Sequence, residues 1–467
     1  MTLVLVYLAS RWIYWALGVH FSVGELSVAL QFLDPELLRS HLLDSLWHLH
    51  SEPPLYNLGL GLVLKAFPAH PAPAFHALNL ALGLTEVLCL FALVKGLGVS
   101  VRTAWGAAAL VSVSPASILY ENMLFYDYPV FVLLTVSALL ALRLEQAPSL
   151  GRGAALFGVL AILVGTRSLY QPVFLLLAVA VVVGLRVLPV RVTLLAAAPA
   201  LAVVAALMVH NAVEFGTLST SSFMGENLER VAVNPAPLEL RRRLVAAGEL
   251  DPIVLVPDFS PVTAYLAYVG SPPPTGVPAL DQRTKSTGRP NYNNEVFLRV
   301  SSRLTRTSAR FAFHHPGWYL RGAKLAAERY FWPPTYAEGI VGSNKYAIRR
   351  LEAFFEAFFY GSTPRANRIG FLTVALFAIA FGFGLRILFR KADPHRFAIV
   401  FVLFLIAYTS LVAVLGDLGE NYRSRLPVDP LVLALVAAAF DRVVRRRCAR
   451  PASGPQAGST VPASRSL

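Results

Sequence analysis

Charge is what this sequence has least of: only 15% of its 467 residues are Asp, Glu, Lys or Arg, against about 25% in an ordinary soluble domain. With 56% hydrophobic residues and a mean hydropathy of +0.57, the composition excludes a soluble globular protein. Cysteine is nearly absent. Cys89 lies inside an apolar run and Cys448 in a basic tail, so neither a disulfide framework nor a thiolate metal site is expected. There is no Walker loop and no GxGxxG following a strand, which leaves nucleotide binding without support. The start at Met1 has neither a basic n-region nor a small-residue cleavage site, so no cleaved leader is expected.

What is there instead is a series of apolar runs, at roughly 1–22, 74–95, 103–120, 128–143, 154–167, 172–187, 192–213, 370–389, 396–415 and 427–441. These approach the ~20 residues that cross a bilayer. They predict an all-α polytopic membrane protein of about ten spans. The organisation is an N-terminal bundle over 1–213 with a first outer loop at 23–73, a large outer loop region over 214–369, C-terminal spans over 370–441 and a basic tail over 442–467 without order. Pro53 to Phe67, opened by Pro-Pro, is marginal for a span and reads as a helix lying at the outer surface. Phe311 to Phe331 mixes aromatic and basic residues as a second surface helix would.

The net charge of +14, from 41 Lys and Arg against 27 Asp and Glu, fits a membrane protein better than a nucleic-acid binder. Much of the excess sits in short loops and in the tail Arg442, Arg445, Arg446, Arg447 and Arg450, where the positive-inside rule puts it. Placing the tail, Lys95/Arg102, Arg143/Arg152, Arg186/Arg191 and Arg386/Arg390/Lys391 inside leaves both termini inside. Both long loops, Glu121 to Asp127, Arg167 and Gly416 to Asp429 then share the outer face.

Three polar constellations fall on that face. In the first, Asp34-Pro35-Glu36 precedes His48-Leu49-His50-Ser51-Glu52-Pro53-Pro54-Leu55-Tyr56-Asn57. Asp34 reads as a carboxylate held against the bilayer, where burial would raise it toward a general base, as the N-cap of an amphipathic helix over Glu36 to Leu49, or as both, since an N-cap aspartate can keep one oxygen free. The second is Tyr120-Glu121 to Asp127-Tyr128-Pro129, and the third is Glu420-Asn421-Tyr422-Arg423-Ser424-Arg425-Leu426-Pro427. Outer arginines run against the positive-inside rule. Arg167, Arg423 and Arg425 therefore either hold a lipid phosphate in their donor forks or pair with Asp34, Glu420 or Asp127. Arg11, inside the first span, calls for a buried partner or a function. His314-His315 and His48/His50 lack a carboxylate at ligand spacing, so no metal site is expected.

The order of these motifs resembles the GT-C membrane glycosyltransferases: an acid after the first span, Pro-Pro-Leu beginning 19 residues beyond it, an aspartate after the third span, and Glu-Asn-Tyr-Arg-x-Arg-x-Pro before the last. Within these it is similar to family 39, the branch of protein O-mannosyltransferases and the lipid A aminoarabinose transferase. The resemblance covers roughly 1–215 and the last spans; in the large loop it is confined to Gly225-Glu226-Asn227-Leu228 and His315-Pro316. It implies a polyprenyl-phosphate sugar donor and a lipid, glycan or protein acceptor hydroxyl, with inversion. It implies Asp34, or Glu36 beside it, as catalytic base, Asp127 as the second acid, and Arg167 with Arg423 or Arg425 on the leaving phosphate. Glu121, His50, Glu420 and Tyr422 would help bind acceptor or donor. A divalent cation is compatible with this chemistry and is not required by it.

Two other readings stay open. An O-antigen ligase or polymerase would use Arg and His of the large loop, such as His314, His315 and Arg321. A lipid or glycolipid transporter would need essential charge at mid-membrane, where Arg11 and Glu86 are the candidates. The excess of Arg over Lys, with abundant Ala, Leu and Val, suggests a bacterial gene and an outer face turned to the periplasm or exterior.

Overall fold

The computed structural model describes residues 1–337, 343–360 and 370–448, and it is built of helices. Among the described residues, five helices are long and apolar enough to cross a membrane: Pro71–Gly96, Asp127–Gln146, Val190–Phe215, Phe371–Leu388 and Arg396–Gly416. Val101–Val113 and Pro115–Glu121, bent by 54° at Ser114, make a sixth if counted as one span. Pro115 explains the bend, because the residue before a proline is driven out of the α region and Ser114 sits at ψ 128°. The chain is thus an all-α, multi-pass membrane protein. The expected ten runs all form helices, but four are too short or too charged to stand among these. Thr2–Ala16, Leu150–Thr166 and Pro172–Gly184 have 15, 17 and 13 residues, and Asp429–Cys448 ends in a run of arginines. At 1.5 Å per residue, ~20 are needed for the hydrocarbon core.

Other expectations shift for identifiable reasons. The helix expected over Glu36 to Leu49 is two, Pro35–Ser40 and Leu42–Trp47, parted at His41. The Ser40 hydroxyl bonds back to the Glu36 carbonyl at 2.7 Å, a contact that bends helices. The surface helix expected over Phe311 to Phe331 is likewise broken, into Val296–His314 and Pro316–Tyr330, with Pro316 holding His315 at ψ 56°. The tail is not disordered from 442 onward. Helix Asp429–Cys448 continues through it, with Arg442 on Asp393 at 2.5 Å and Arg445 on Asp441 at 2.6 Å. Arg450 and the rest of the tail lie outside the described residues, as do 338–342 and 361–369 of the large loop.

One apolar core runs through the spans, and a second forms within the large loop around Phe223, Ile253, Tyr265, Phe297, Val300 and Phe311. Helix Met224–Ala232 joins the two. Its Gly225 lies so close to Ser301 that a Cβ would come within 2.2 Å of the carbonyl oxygen, and Gly322 of helix Pro316–Tyr330 approaches Val231 in the same way at 1.9 Å. Glycine here permits backbone contact that no side chain would.

Candidate functional site

Asp127 begins the helix Asp127–Gln146, where the helix dipole favours negative charge. It is fully buried. Two arginines from far along the chain close on it. Arg167, the residue at which helix Leu150–Thr166 ends, brings Nη1 to 2.6 Å from Oδ1. Arg423, in the short helix Asn421–Arg425, brings Nε to 3.0 Å from Oδ2. Arg423 also holds Glu420 at 2.5 Å, and Arg167 Nη2 donates to the Ser424 hydroxyl at 2.8 Å. Aromatic faces flank both, Phe125 at 4.3 Å from the Arg423 guanidinium and Tyr126 at 5.2 Å from that of Arg167. Asp127, Arg167, Arg423 and Glu420 all belong to the polar motifs of the sequence, and the fold brings these four together.

Two carboxyls beside this cluster were not singled out. Glu52 is buried, and its Oε2 has no hydrogen-bond partner among the described residues. Burial pushes its pKa up to about 7, against the pull of Ser168 and of the Arg167 charge. Glu25 is half-buried and also raised, by burial first, with the Arg423 charge opposing and Glu420 adding to it. The signal for Glu52 was the Pro53-Pro54 that follows it. Pro54 opens the helix Pro54–Ala66, so the residue before the pair is fixed at the edge of the site rather than carried on a free loop.

The remaining named residues go elsewhere. Asp34 caps the helix Pro35–Ser40, taking the Glu36 N–H at 2.9 Å. Its other contacts come from the large loop: the Ser286 N–H at 2.6 Å on Oδ2 and the Ser286 hydroxyl at 2.5 Å on Oδ1. Both carboxylate oxygens are engaged. Lys285 beside it is buried and donates to the carbonyls of Ala29 at 2.8 Å and Phe32 at 2.5 Å; burial lowers its pKa to about 8, Asp34 opposing. Glu36 is exposed. His50 is buried between the Ser222 hydroxyl at 2.8 Å and the Asn293 carbonyl at 3.0 Å, and burial takes its pKa down to about 4. The Asn293 side chain in turn accepts the backbone N–H groups of His50 and Ser51, at 2.9 and 3.1 Å. These contacts fasten the first long loop, which follows helix Thr2–Ala16, to the large loop.

Glu121 does not join Asp127. Arg11 takes it in a two-pronged pair at 2.8 and 2.7 Å, and the Tyr128 and Tyr7 hydroxyls bond to it at 2.6 and 3.0 Å. Arg425 separates from the other two arginines. It pairs with Asp429 at 3.3 Å and with the Tyr360 hydroxyl. Asp429 and Tyr360 also line an apolar cavity of about 150 Å³ bounded by Phe355, Phe359, Leu376 and Phe377. The Tyr422 hydroxyl lies 3.3 Å from the Tyr336 carbonyl and 3.3 Å from Glu420. Among the described residues, no group of three His, Cys, Asp or Glu side chains is arranged to hold a metal ion.

No family model matches this sequence, and no curated protein does. Among solved structures, that of ArnT from Cupriavidus metallidurans bound to undecaprenyl phosphate is similar over 95% of this chain and 78% of that chain, at 12% sequence identity and a TM-score of 0.36. So loose a superposition carries no argument about the site, which rests on the residues described above.

Proposed function

We propose that the chain is a membrane glycosyltransferase of the GT-C kind, moving a sugar from a polyprenyl-phosphate donor to an acceptor hydroxyl at the outer face of a bacterial plasma membrane. The observation that carries this reading is a carboxyl with an oxygen unpartnered among the described residues and a pKa raised to about 7, Glu52, set beside two arginines that share Asp127, Arg167 buried and Arg423 half-buried. A base that titrates near the working pH is the efficient one. Glu52 takes the proton of the acceptor hydroxyl while that oxygen forms its bond to the anomeric carbon. The bond from that carbon to the phosphate oxygen breaks, with inversion, and the lipid phosphate leaves with the electron pair. Arg167 and Arg423 meet the charge that develops on it. Asp127 and Glu420 hold the two guanidiniums in place until the phosphate competes for the same donors.

The motif resemblance gave the base role to Asp34 or Glu36. Asp34 has both oxygens engaged and Glu36 is exposed, so the proposal hands the role to Glu52 and keeps Asp34 as the fastening between loops. The transporter reading loses one of its mid-membrane charges to the Arg11–Glu121 pair.

The test is release of free polyprenyl phosphate from a set of polyprenyl-phosphate sugars by the reconstituted protein and by Glu52→Gln and Asp34→Asn, with and without EDTA. Turnover by the wild type and by Asp34→Asn, lost in a folded Glu52→Gln, supports Glu52. The reverse pattern returns the base to Asp34. Consumption of no donor with any acceptor class brings the ligase and transporter readings forward.

A further inference from the structure

Between residues 296 and 330 the sequence carries seven Arg and Lys and a single acid, Glu328. These residues form the two helices that meet at His315. The second helix is tied to the spanning helix Arg396–Gly416 at two heights. The Tyr319 hydroxyl donates to the Leu415 carbonyl in the last turn of that span at 3.0 Å, and the Tyr330 hydroxyl meets Ser410 at 2.8 Å. Five residues of helix separate the two contacts, roughly 7 Å of rise. Helix Pro316–Tyr330 therefore slopes into the bundle from its far end, and its start, the elbow, stands level with the end of the span. That is the end of the bundle at which Arg423 and Asp127 meet.

At the elbow large apolar side chains are uncovered, Phe313 at 82% and Leu320 at 64% exposure. Leu411 and Leu415 on the adjoining span are exposed too, so this apolar face continues that of the span. Around it stand Arg310, Arg321 and Lys324, all exposed. Arg310 makes no ion pair among the described residues, Arg321 lies over the Trp318 ring at 5.1 Å, and Lys324 reaches Glu328 only at 3.8 Å. Apolar side chains rimmed by exposed cations at the level of a span end are the makings of an interfacial anchor.

We propose that this elbow rests on the bilayer surface at the site's end of the bundle and binds anionic lipid headgroups through Arg310, Arg321 and Lys324, with Phe313 and Leu320 entering the acyl boundary. The proposal is independent of any transfer reaction. It is tested on the full chain in nanodiscs of equal phosphatidylglycerol and phosphatidylcholine, by counting the lipids retained on release into a mass spectrometer. The wild type should retain the anionic lipid preferentially. Each of Arg310→Ala, Arg321→Ala and Lys324→Ala should lower that preference, by up to about five-fold per charge, with an unchanged melting temperature. Equal retention of the two lipids by the wild type, or an undiminished preference in all three variants, overturns it. A spin label at Phe313→Cys gives a reading that needs no charge change: relaxation by oxygen dissolved in the bilayer is expected, and relaxation by water-soluble nickel alone refutes the anchoring.

Discussion

Glu121 and Asp127 are six positions apart, both fully buried, and each is met by arginine, yet the two sites are finished in different ways. Glu121 receives Arg11, Tyr7 and Tyr128, and Gly83 is cut away to admit it, since a Cβ there would come within 2.0 Å of Oε2. Every bond it can use is made by its own chain. Around Asp127, two guanidiniums face Asp127 and Glu420, while Glu52 keeps an oxygen without a partner. A closed network of this kind stabilises a fold. An open one, built on the same chemistry, leaves work for a ligand.

That contrast can be broken at several points. Glu52→Gln should cost the proposed reaction about 10²- to 10⁴-fold in kcat/KM, the range for a lost general base, while the melting temperature barely moves; the wild type should show kcat/KM rising through a midpoint near pH 7, where Glu52 ionises, and the variant should lose that limb. Glu121→Ala should do the opposite, destabilising the detergent-solubilised protein by about 3–5 kcal/mol through an uncompensated Arg11 whose side chain is only 10% exposed. The double variant Arg11→Met/Glu121→Leu should recover most of that loss. Gly83→Ala should cost about 1–3 kcal/mol by overpacking the same network. An equal melting loss in Glu52→Gln and Glu121→Ala would erase the distinction between the two sites.

A different effect, one that depends on pH, lies in the large loop. Glu226 and Glu229 of helix Met224–Ala232 are buried with unpartnered oxygens, and burial raises them to about 7 and about 9. A carboxyl whose folded pKa lies above its unfolded value, ordinarily 4.5, stabilises the fold fully below the unfolded value. That contribution fades as pH climbs through the folded one. The loop's stability should therefore fall between about pH 4.5 and 9, by at most about 1.4 kcal/mol per pH unit for each group, as read by hydrogen exchange of residues 224–232. Glu226→Gln should flatten the lower part of that slope and leave the Glu121 network untouched.

Much of this was legible in the chain itself. Apolar runs locate the helices because bilayer burial acts on local sequence, and Asp34-Pro35 announces a helix start by N-cap and N1 chemistry alone. The alternatives left open for the outer arginines were narrowed only by the fold: Arg167 and Arg423 chose Asp127, while Arg425 chose Asp429, four residues on. Glu52 was visible in its motif and passed over, because what sets it apart, burial beside Ser168 and Arg167, joins positions more than a hundred residues apart. Fewer helices than apolar runs are long and apolar enough to cross a membrane, for a plainer reason. A hydropathic run records what prefers lipid or core, whereas crossing requires length, and Pro172–Gly184 stops at 13 residues.

The Asn293 amide, which takes the backbone of His50 and Ser51 across 243 and 242 positions of chain, also sets a clock. At about 5–20 residues synthesised per second, the first long loop waits roughly 10 to 50 seconds after leaving the ribosome for the side chain that completes it. Until then His50, Ser51 and the neighbouring Glu52 stand on an unfastened segment. The site is therefore assembled late, and a nascent chain has all its early spans in place before the chemistry between them can begin.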